Sequence, residues 1–155
     1  MSMTKNDWVD VCGSWLQAQD VKNFSALEIC DVGRESYGIK LAPPSLELLK
    51  NAIKLIRVLE WLREEDGIAP LLINSWYRSP YYNAVIGGAS RSMHMTLGAA
   101  DVVKVGRTPA EVADLLEDYP EKKLLGVGRY KTFTHVDVRG MIGGRSSPAR
   151  WGSNE

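Results

Sequence analysis

Apolar residues recur at spacings of three and four along several stretches of the chain, which is the pattern of amphipathic helices. The longest such stretch runs from Pro44 to about Asp66, and Gly67 follows it as a natural C-terminal stop. Residues 5–18 show the same pattern over a shorter length. Polar side chains fill most intervening positions, which predicts one core-facing side and one solvent-facing side for each helix.

Three shorter helices are predicted from their capping residues. Ser25, with Glu28 three positions later, forms a capping-box pattern at the start of a helical turn. Ser79 and Thr108 are each followed by a proline, the arrangement of an N-cap and a first helical residue. The helix that follows Ser79 should end at Gly87, where two glycines stand together.

Short apolar runs predict strands in the second half of the chain. The predicted strands are residues 71–76, 99–103, 126–130 and 133–138, and a short turn between the last two indicates that they pair. We expect residues 149–151 to pack back on this sheet, and residues 31–44, rich in glycine and proline, to form an irregular loop. Because helices come first and strands with interspersed helices follow, the order favours an α+β fold over a doubly wound sheet.

Length and composition indicate a globular protein, and 155 residues suffice to bury a core, so we expect one domain over residues 1–155. Lysine plus arginine equals aspartate plus glutamate at 19 each, which argues against a nucleic-acid partner. The N-terminus has no signal-peptide core, and no apolar run is long enough for an integral membrane segment. Cys12 and Cys30 lack CxxC spacing, so we expect free, buried thiols.

The chain has two histidines, and each lies near an aspartate. His94 precedes Asp101 by seven residues, a separation that does not fit one helical face. We therefore expect His94 at the start of a loop and Asp101 in the strand that follows. His135 lies in the middle of an apolar strand pattern, where an imidazole needs a partner. Two imidazoles and a carboxylate would make a three-ligand zinc site, while the alternative is that each histidine is a hydrogen-bonded structural residue.

Together, Ser92-x-His94-x6-Asp101 and His135-x-Asp137 resemble motifs of the M15 zinc peptidases. These include D-alanyl-D-alanine carboxypeptidases and L-alanyl-D-glutamate endopeptidases of bacteria and phages, and their fold is shared with the hedgehog signalling domain. The resemblance implies a small antiparallel sheet that carries the zinc site and packs against helices.

Further segments are similar to the same family. Residues 73–83, which contain Tyr-Arg-Ser-Pro, resemble its strand–turn segment. Residues 126–130 and 135–140 resemble the subgroup with a C-terminal His-x-Asp motif. The likeness covers roughly residues 22–151, which makes the helix over residues 5–18 an N-terminal extension.

The resemblance implies a role for each matching residue. His94, Asp101 and His135 become the zinc ligands. Arg78 matches the arginine that holds the substrate's carboxylate, which a guanidinium can bind through two parallel hydrogen bonds. Ser92 is predicted to contact the substrate, the alternative being a local backbone hydrogen bond that orients the loop.

Three further positions bear on the substrate and the proton transfer. Many family members have an acidic residue where this chain has Thr132. We therefore predict that the nearest carboxylate, Asp137, is the general base. Its alternative role is to orient one of the metal ligands. Leu97 stands where the family usually has glycine, so we expect a differently shaped turn. Tyr77 belongs to an aromatic cluster predicted to pack at the strand–helix joint, and one or two of these rings should line the peptide groove.

The implied function is zinc-dependent hydrolysis of stem peptides in bacterial peptidoglycan, as a D,D-carboxypeptidase or an L,D-type endopeptidase. We expect a monomer, synthesised in the cytoplasm without a signal peptide. This suits a phage or prophage lysin released to the cell wall, and also an intracellular enzyme. The alternatives are an inactive or weakly active zinc-containing binding module of the same fold, and an α+β protein without a metal.

Overall fold

The computed structural model describes residues 3–30, 35–36, 38–40, 42–67 and 70–152. Helices predominate in the first half of the chain, as the sequence predicts. They are α1 (Lys5–Ala18), α2 (Ala26–Ile29) and α3 (Leu49–Glu64), with a 3₁₀ turn over Leu46–Leu48 directly before α3. None of the helices among these residues is both long and apolar enough to span a bilayer.

The two long helices contribute to one hydrophobic core. From α1, Trp8, Cys12 and Leu16 are buried, and the Trp8 indole donates to the Pro44 carbonyl at 3.2 Å. The apolar face of α3 buries Leu49, Ala52, Leu55, Ile56, Val58, Leu59 and Leu62. Cys12 and Cys30 are buried and are not joined by a disulfide, as predicted, and burial raises the pKa of Cys12 to about 11.

Part of the segment predicted as an irregular loop pairs instead as two short strands. β1 (Glu35–Ser36) and β2 (Ile39–Lys40) are antiparallel. Between them Gly38 has φ of 71°, a left-handed conformation that glycine adopts without strain and that lets the chain reverse. The prediction is wrong for these residues, while residues 31–34, 37 and 41 lie outside the described part of the chain.

The main sheet has five strands in the order β3-β4-β6-β5-β7. They are β3 (Leu71–Ser75), β4 (Ala99–Lys104), β5 (Gly126–Arg129), β6 (Thr134–Asp137) and β7 (Ala149–Gly152). All neighbouring pairs are antiparallel except β5 with β7, which is parallel. The predicted α+β fold, with a sheet packed against helices, is therefore confirmed, and β7 adds a parallel edge.

Shorter helices connect the strands, and the two that follow Ser79 and Thr108 begin where those capping residues predict. The connecting helices are α4 (Pro80–Val85), α5 (Pro109–Leu116) and α6 (Arg139–Ile142), with 3₁₀ turns over Met93–Thr96 and Lys122–Leu124. The side chains of Ser25, Ser79 and Thr108 each accept a hydrogen bond from the backbone N–H three residues later. These local bonds satisfy amide groups that the helices leave unpaired.

The register of the central strands brings two of the candidate ligands together. Asp101 on β4 lies directly opposite His135 on β6. On the other side of β6, His135 is opposite Gly128 and Asp137 is opposite Gly126, both on β5. Because directly opposed residues project to the same face of a sheet, this register places the carboxylate beside the imidazole.

Candidate metal centre

Three potential metal ligands converge on one side of the sheet. Ligand atoms of His94, Asp101 and His135 all lie within 4.8 Å of one another. The Oδ1 atom of Asp101 is 3.2 Å from Nε2 of His94 and 3.1 Å from Nδ1 of His135. All three residues are buried. The structure thus brings together the three residues that the sequence predicts as ligands, which we call the triad.

Backbone contacts with the end of β3 hold His94. Its Nδ1–H donates to the Trp76 carbonyl at 2.6 Å, and the Arg78 amide donates to the His94 carbonyl at 3.1 Å. The Trp76 indole also donates to the Leu97 carbonyl at 2.9 Å. From the helical layer, the side-chain amide of Asn51 donates to the Thr96 carbonyl at 3.0 Å. The 3₁₀ turn that carries His94 is therefore fixed from two sides.

The turn after His94 contains a left-handed residue that is not glycine. Leu97 has φ of 65° and ψ of 2°, and its side chain is fully buried in the core. A non-glycine residue in this region costs roughly 1–2 kcal/mol. Burial of a leucine side chain contributes about 1.5–3 kcal/mol, which offsets that cost. Leu97 therefore keeps the tight turn between His94 and Asp101 while adding to the core.

A side-chain network holds His135. Its Nε2–H donates to Oδ2 of Asp137 at 2.8 Å. Arg139 donates from Nε to Oδ1 of Asp137 at 2.9 Å and from Nη2 to Oδ2 at 2.8 Å, and its backbone amide adds a bond of 3.1 Å to Oδ1. The bidentate arginine pair fixes the carboxylate, which in turn fixes the imidazole.

The protonation pattern of the triad fits a metal ion. Because a carbonyl oxygen only accepts, Nδ1 of His94 carries the proton and the lone pair of Nε2 faces Asp101. Asp137 likewise accepts a hydrogen bond from Nε2–H of His135, which leaves the lone pair of Nδ1 facing Oδ1 of Asp101. Two imidazole nitrogens and one carboxylate oxygen are a donor set that zinc accepts, with a fourth position for water.

The surroundings of Asp137 do not support the general-base role predicted for it. Its side chain is fully buried, and both oxygens already accept hydrogen bonds from His135 and Arg139. Although burial would raise the pKa of Asp137, those bonds, led by that of Arg139, hold it below the usual range. A carboxylate so held is a poor proton acceptor, so its contacts favour the alternative role, orientation of His135.

A cavity of about 390 Å³ opens over the triad. Of the residues predicted to bind substrate, Arg78 and Ser92 line it, while Tyr77 lines a neighbouring cavity of about 510 Å³ that shares Arg78. In the described part of the chain, Asp101 is the one carboxylate among the lining residues. Thr132, at the position of the family's acidic residue, is exposed.

Arg78 lies between the triad and a buried amide. Its Nη2 is 3.5 Å from Oδ2 of Asp101, and its Nη1 donates to Oδ1 of Asn83 at 3.5 Å. Asn83 is itself buried and donates to the Ala89 carbonyl at 2.9 Å. Both contacts of the guanidinium are long, so its donors can also bind a second, external acceptor. Ser92 accepts a hydrogen bond from the His94 amide at 3.2 Å, which helps to shape the turn.

The aromatic cluster divides between the core and the surface. Trp76 is buried and packs edge-on against Phe24, with ring centroids 6.0 Å apart. Tyr77 and Tyr82 line the neighbouring cavity, and Tyr81 is exposed. Core packing, the first of the two predicted roles, thus describes Trp76.

Sequence reasoning missed several residues of the cavity wall, among them Arg91, Arg139, Arg145 and Trp151. The Trp151 ring lies 5.1 Å from that of His135 and donates to the Tyr130 hydroxyl at 2.9 Å. Arg139 lies over the same indole, 5.1 Å from its centroid. The predicted packing of residues 149–151 on the sheet is confirmed, but the pattern did not indicate that it brings Trp151 to the triad.

A pair of glycines on β5 is the feature of the sequence that could have indicated these bulky neighbours. A Cβ atom at Gly126 would lie 2.5 Å from Oδ2 of Asp137, and one at Gly128 would lie 2.5 Å from the indole nitrogen of Trp151. Residues two apart share a strand face, so the missing Cβ atoms of both glycines leave space on the same face of β5. The Gly-Val-Gly sequence therefore indicates that bulky groups lie across this strand.

Comparison with known proteins gives one finding on the family. No match is found among curated proteins. A family model described as Peptidase M15 matches residues 22–137. This range contains the triad and Asp137, and it ends before Arg139, Arg145 and Trp151. Because the match spans most of the chain, the chain belongs to the peptidase M15 family.

Proposed function

We propose that this protein is a zinc-dependent peptidase that hydrolyses the stem peptides of bacterial peptidoglycan. The observation that carries the proposal is the convergence of Nε2 of His94, Oδ1 of Asp101 and Nδ1 of His135 beneath an open cavity. Membership of the M15 family supports zinc as the metal and a peptidoglycan-related substrate. A bound zinc ion would act as a Lewis acid, which polarises the scissile carbonyl and lowers the pKa of water from 15.7 to about 7.

The chain's own residues hold and orient the metal ligands. Hydrogen bonds to the Trp76 carbonyl and the Asp137 carboxylate fix the two imidazole rings. Such outer contacts place the proton of each imidazole on the nitrogen that faces away from the metal. We assign Asp137 this positioning role, and Arg139 holds Asp137 in turn.

Arg78 is the residue proposed to bind a carboxylate of the substrate. Its guanidinium lines the cavity beside Asp101, and its two long contacts leave donors available. Bidentate binding there would fix the register of the peptide relative to the triad. Ser92 shapes the turn of His94, and Tyr77 contributes to the groove where it continues past Arg78 into the neighbouring cavity.

A second candidate function is a zinc-containing binding module without hydrolytic activity. The observation that favours it is the lack of a free carboxylate in the cavity. Among the described lining residues Asp101 alone carries one, and it belongs to the triad. Thr132 does not supply a proton acceptor at the family's usual position.

Digestion of purified muropeptides by the zinc-loaded protein, followed by mass spectrometry, tests the proposal. We expect products that differ from the substrate by the addition of water across one peptide bond. Release of a single terminal residue would identify a carboxypeptidase, and internal fragments would identify an endopeptidase. Chelation should stop the reaction and zinc should restore it.

Two variants serve as controls in the same assay. His94→Ala should be inactive, and Lys131→Ala, at an exposed position beside the cavity residue Tyr130, should retain activity. Stoichiometric zinc without cleavage would contradict the peptidase proposal and favour the binding module. Purified protein that binds no zinc would contradict both functions.

A further inference from the structure

The cavity over the triad concentrates positive charge. Four arginines line it, namely Arg78, Arg91, Arg139 and Arg145, against the single carboxylate of Asp101 among the described lining residues. The whole chain has a formal net charge of zero, so this excess belongs to the cavity rather than to the protein as a whole. A concave site with charges of one sign attracts ligands of the opposite sign.

The four arginines differ in what they contact. Arg139 is committed to Asp137 through two side-chain hydrogen bonds, and Arg78 lies beside Asp101. Arg91 and Arg145 form no ion pair with any residue that the structure describes. They are therefore the two arginines of the wall without a direct ion pair among the described residues, although the negative charge of Asp137 also acts on Arg145.

Arg91 and Arg145 lie close together on the cavity rim. Nη2 of Arg91 donates to the Gly144 carbonyl at 3.4 Å, which ties the segment before Ser92 to the residue before Arg145. Partial burial, together with the charges of Arg91 and Arg139, lowers the pKa of Arg145. An anion between these guanidiniums would relieve their mutual repulsion and gain charge-assisted hydrogen bonds.

The strand order separates Arg145 from Arg78. Arg78 follows β3 at one edge of the sheet, and Arg145 precedes β7 at the other edge, with the strands of Asp101 and His135 between them. An extended ligand that contacts both Arg78 and Arg145 therefore passes over the strands that carry Asp101 and His135. On the β7 side the Trp151 ring beside His135 offers a flat surface for its backbone.

We infer that Arg91 and Arg145 form a second carboxylate subsite, so that the favoured substrate is a peptide with two free carboxylates, one bound by Arg78 and one by this pair. The inference rests on the proposed function and narrows its substrate class. In a stem peptide, a D-glutamyl residue linked through its γ-carboxyl group keeps a free α-carboxylate, and amidation removes that charge. The site should therefore discriminate against peptides amidated at this position. Arg145 lies beyond the segment that matches the family, so the subsite includes a residue that the match does not cover.

Two synthetic pentapeptides that differ by one group test the inference. Both have the sequence L-Ala-γ-D-Glu-L-Lys-D-Ala-D-Ala, and the D-glutamyl α-carboxylate is free in one and a carboxamide in the other. We expect the zinc-loaded protein to have a kcat/KM about 10- to 100-fold higher on the acid, the range expected for hydrogen bonds to a charged group. Arg145→Gln and the double variant R91Q/R145Q should lose most of this preference, because kcat/KM on the acid falls toward the value on the amide.

Matched controls separate the subsite from general charge and from folding. Lys131→Gln removes one positive charge from the exposed turn beside the cavity and should keep the preference. Arg145→Lys keeps the charge but not the bidentate geometry, so we expect an intermediate preference. Zinc content and the thermal unfolding midpoint of each variant show whether it folds. Equal kcat/KM on both peptides in the parent protein, or an undiminished preference in R91Q/R145Q, would overturn the inference.

Failure of the proposed function gives a different result. If the parent protein cleaves neither pentapeptide nor any muropeptide, hydrolysis is refuted, and calorimetric titration with the two intact pentapeptides then decides on the subsite. Tighter binding of the acid, lost in Arg145→Gln, would support the subsite in a binding module. Equal binding of the two peptides, or no binding of either, would overturn it.

Discussion

The two histidines of the triad are held by different kinds of partner. His94 sits in a 3₁₀ turn whose contacts with the end of β3 are made by backbone groups and the Trp76 indole, and its own ring donates to a carbonyl. His135 sits in a β-strand, and its ring donates to a side chain, Asp137, that Arg139 clamps. One half of the metal centre is thus supported by the fold itself, and the other half by a chain of charged side chains.

This difference indicates where the metal affinity can change. A backbone carbonyl stays in place whatever side chains surround it, so single substitutions beyond His94 should have little influence on its ring. The support of His135 depends on two ionised groups and on the absence of a Cβ atom at Gly126. We therefore expect the affinity for zinc to be most sensitive on the His135 side.

The largest effect should come from the ligands themselves, where both sides must behave alike. His94→Ala and His135→Ala each remove one of three protein ligands, so zinc affinity should fall by more than about 100-fold, beyond the effect usual for outer contacts. Competition with a chromogenic chelator measures the affinity. Lys131→Ala serves as the control. Unchanged affinity in either histidine variant would show that zinc binds elsewhere.

Asp137→Asn changes only the support of His135, so it tests whether zinc affinity depends on that side of the triad. The amide keeps the shape but weakens both the bond to His135 and the pair with Arg139, so we expect a 10- to 100-fold loss of zinc affinity. The matched control is Asp114→Asn, which removes an exposed carboxylate that pairs with Arg129 outside the cavity lining. A lost kcat with intact zinc affinity would instead restore the general-base role.

The two glycines of β5 offer a matched pair of substitutions. Gly126→Ala would force apart Asp137 and Arg139, so it should lower zinc affinity and destabilise the fold by about 1–3 kcal/mol. Gly128→Ala would displace only the Trp151 indole, which should leave zinc affinity intact. Chelator competition and urea unfolding of both variants test this. Equal losses of zinc affinity would mean that the side-chain network does not act through Asp137.

The smallest effect should follow from Trp151→Leu. The ring covers His135 but supplies no ligand atom, so zinc affinity should not change. Loss of an aromatic surface for the peptide should raise KM by about 2- to 10-fold, the range expected for a contact worth 0.5–1.5 kcal/mol. Steady-state kinetics on a muropeptide measure KM. Reduced zinc content in this variant would contradict the assignment of Trp151 to the cavity wall alone, without a part in holding the metal ligands.

Local signals in the sequence predicted most of the fold. Helical periodicity and capping residues such as Thr108 identify the helices, because these signals act within a few residues. The irregular loop was predicted wrongly around Gly38, since pairing of two-residue strands leaves no periodic pattern. The parallel addition of β7 to β5 joins residues distant in sequence, which no local pattern encodes.

The candidate site was predictable only in part. The spacing around His94 and Asp101 and the Thr-His-Val-Asp motif indicated the triad, because each ligand lies in a recognisable segment. The nitrogen that each ring turns to the metal depends on strand register and on Asp137, so it required the structure. Arg91 and Arg145 stand 54 positions apart, and a hydrogen bond from Arg91 to the Gly144 carbonyl brings their segments together, so no spacing could pair them.

A crystal structure of the zinc-loaded protein, with anomalous data collected at the zinc edge, tests the metal centre most directly. We predict one zinc ion bound by Nε2 of His94, Oδ1 of Asp101 and Nδ1 of His135, at about 2.0–2.2 Å from each. Asp137 should remain hydrogen-bonded to the opposite nitrogen of His135. A zinc ion at another position, or one bound through Nε2 of His135, would contradict the proposed centre.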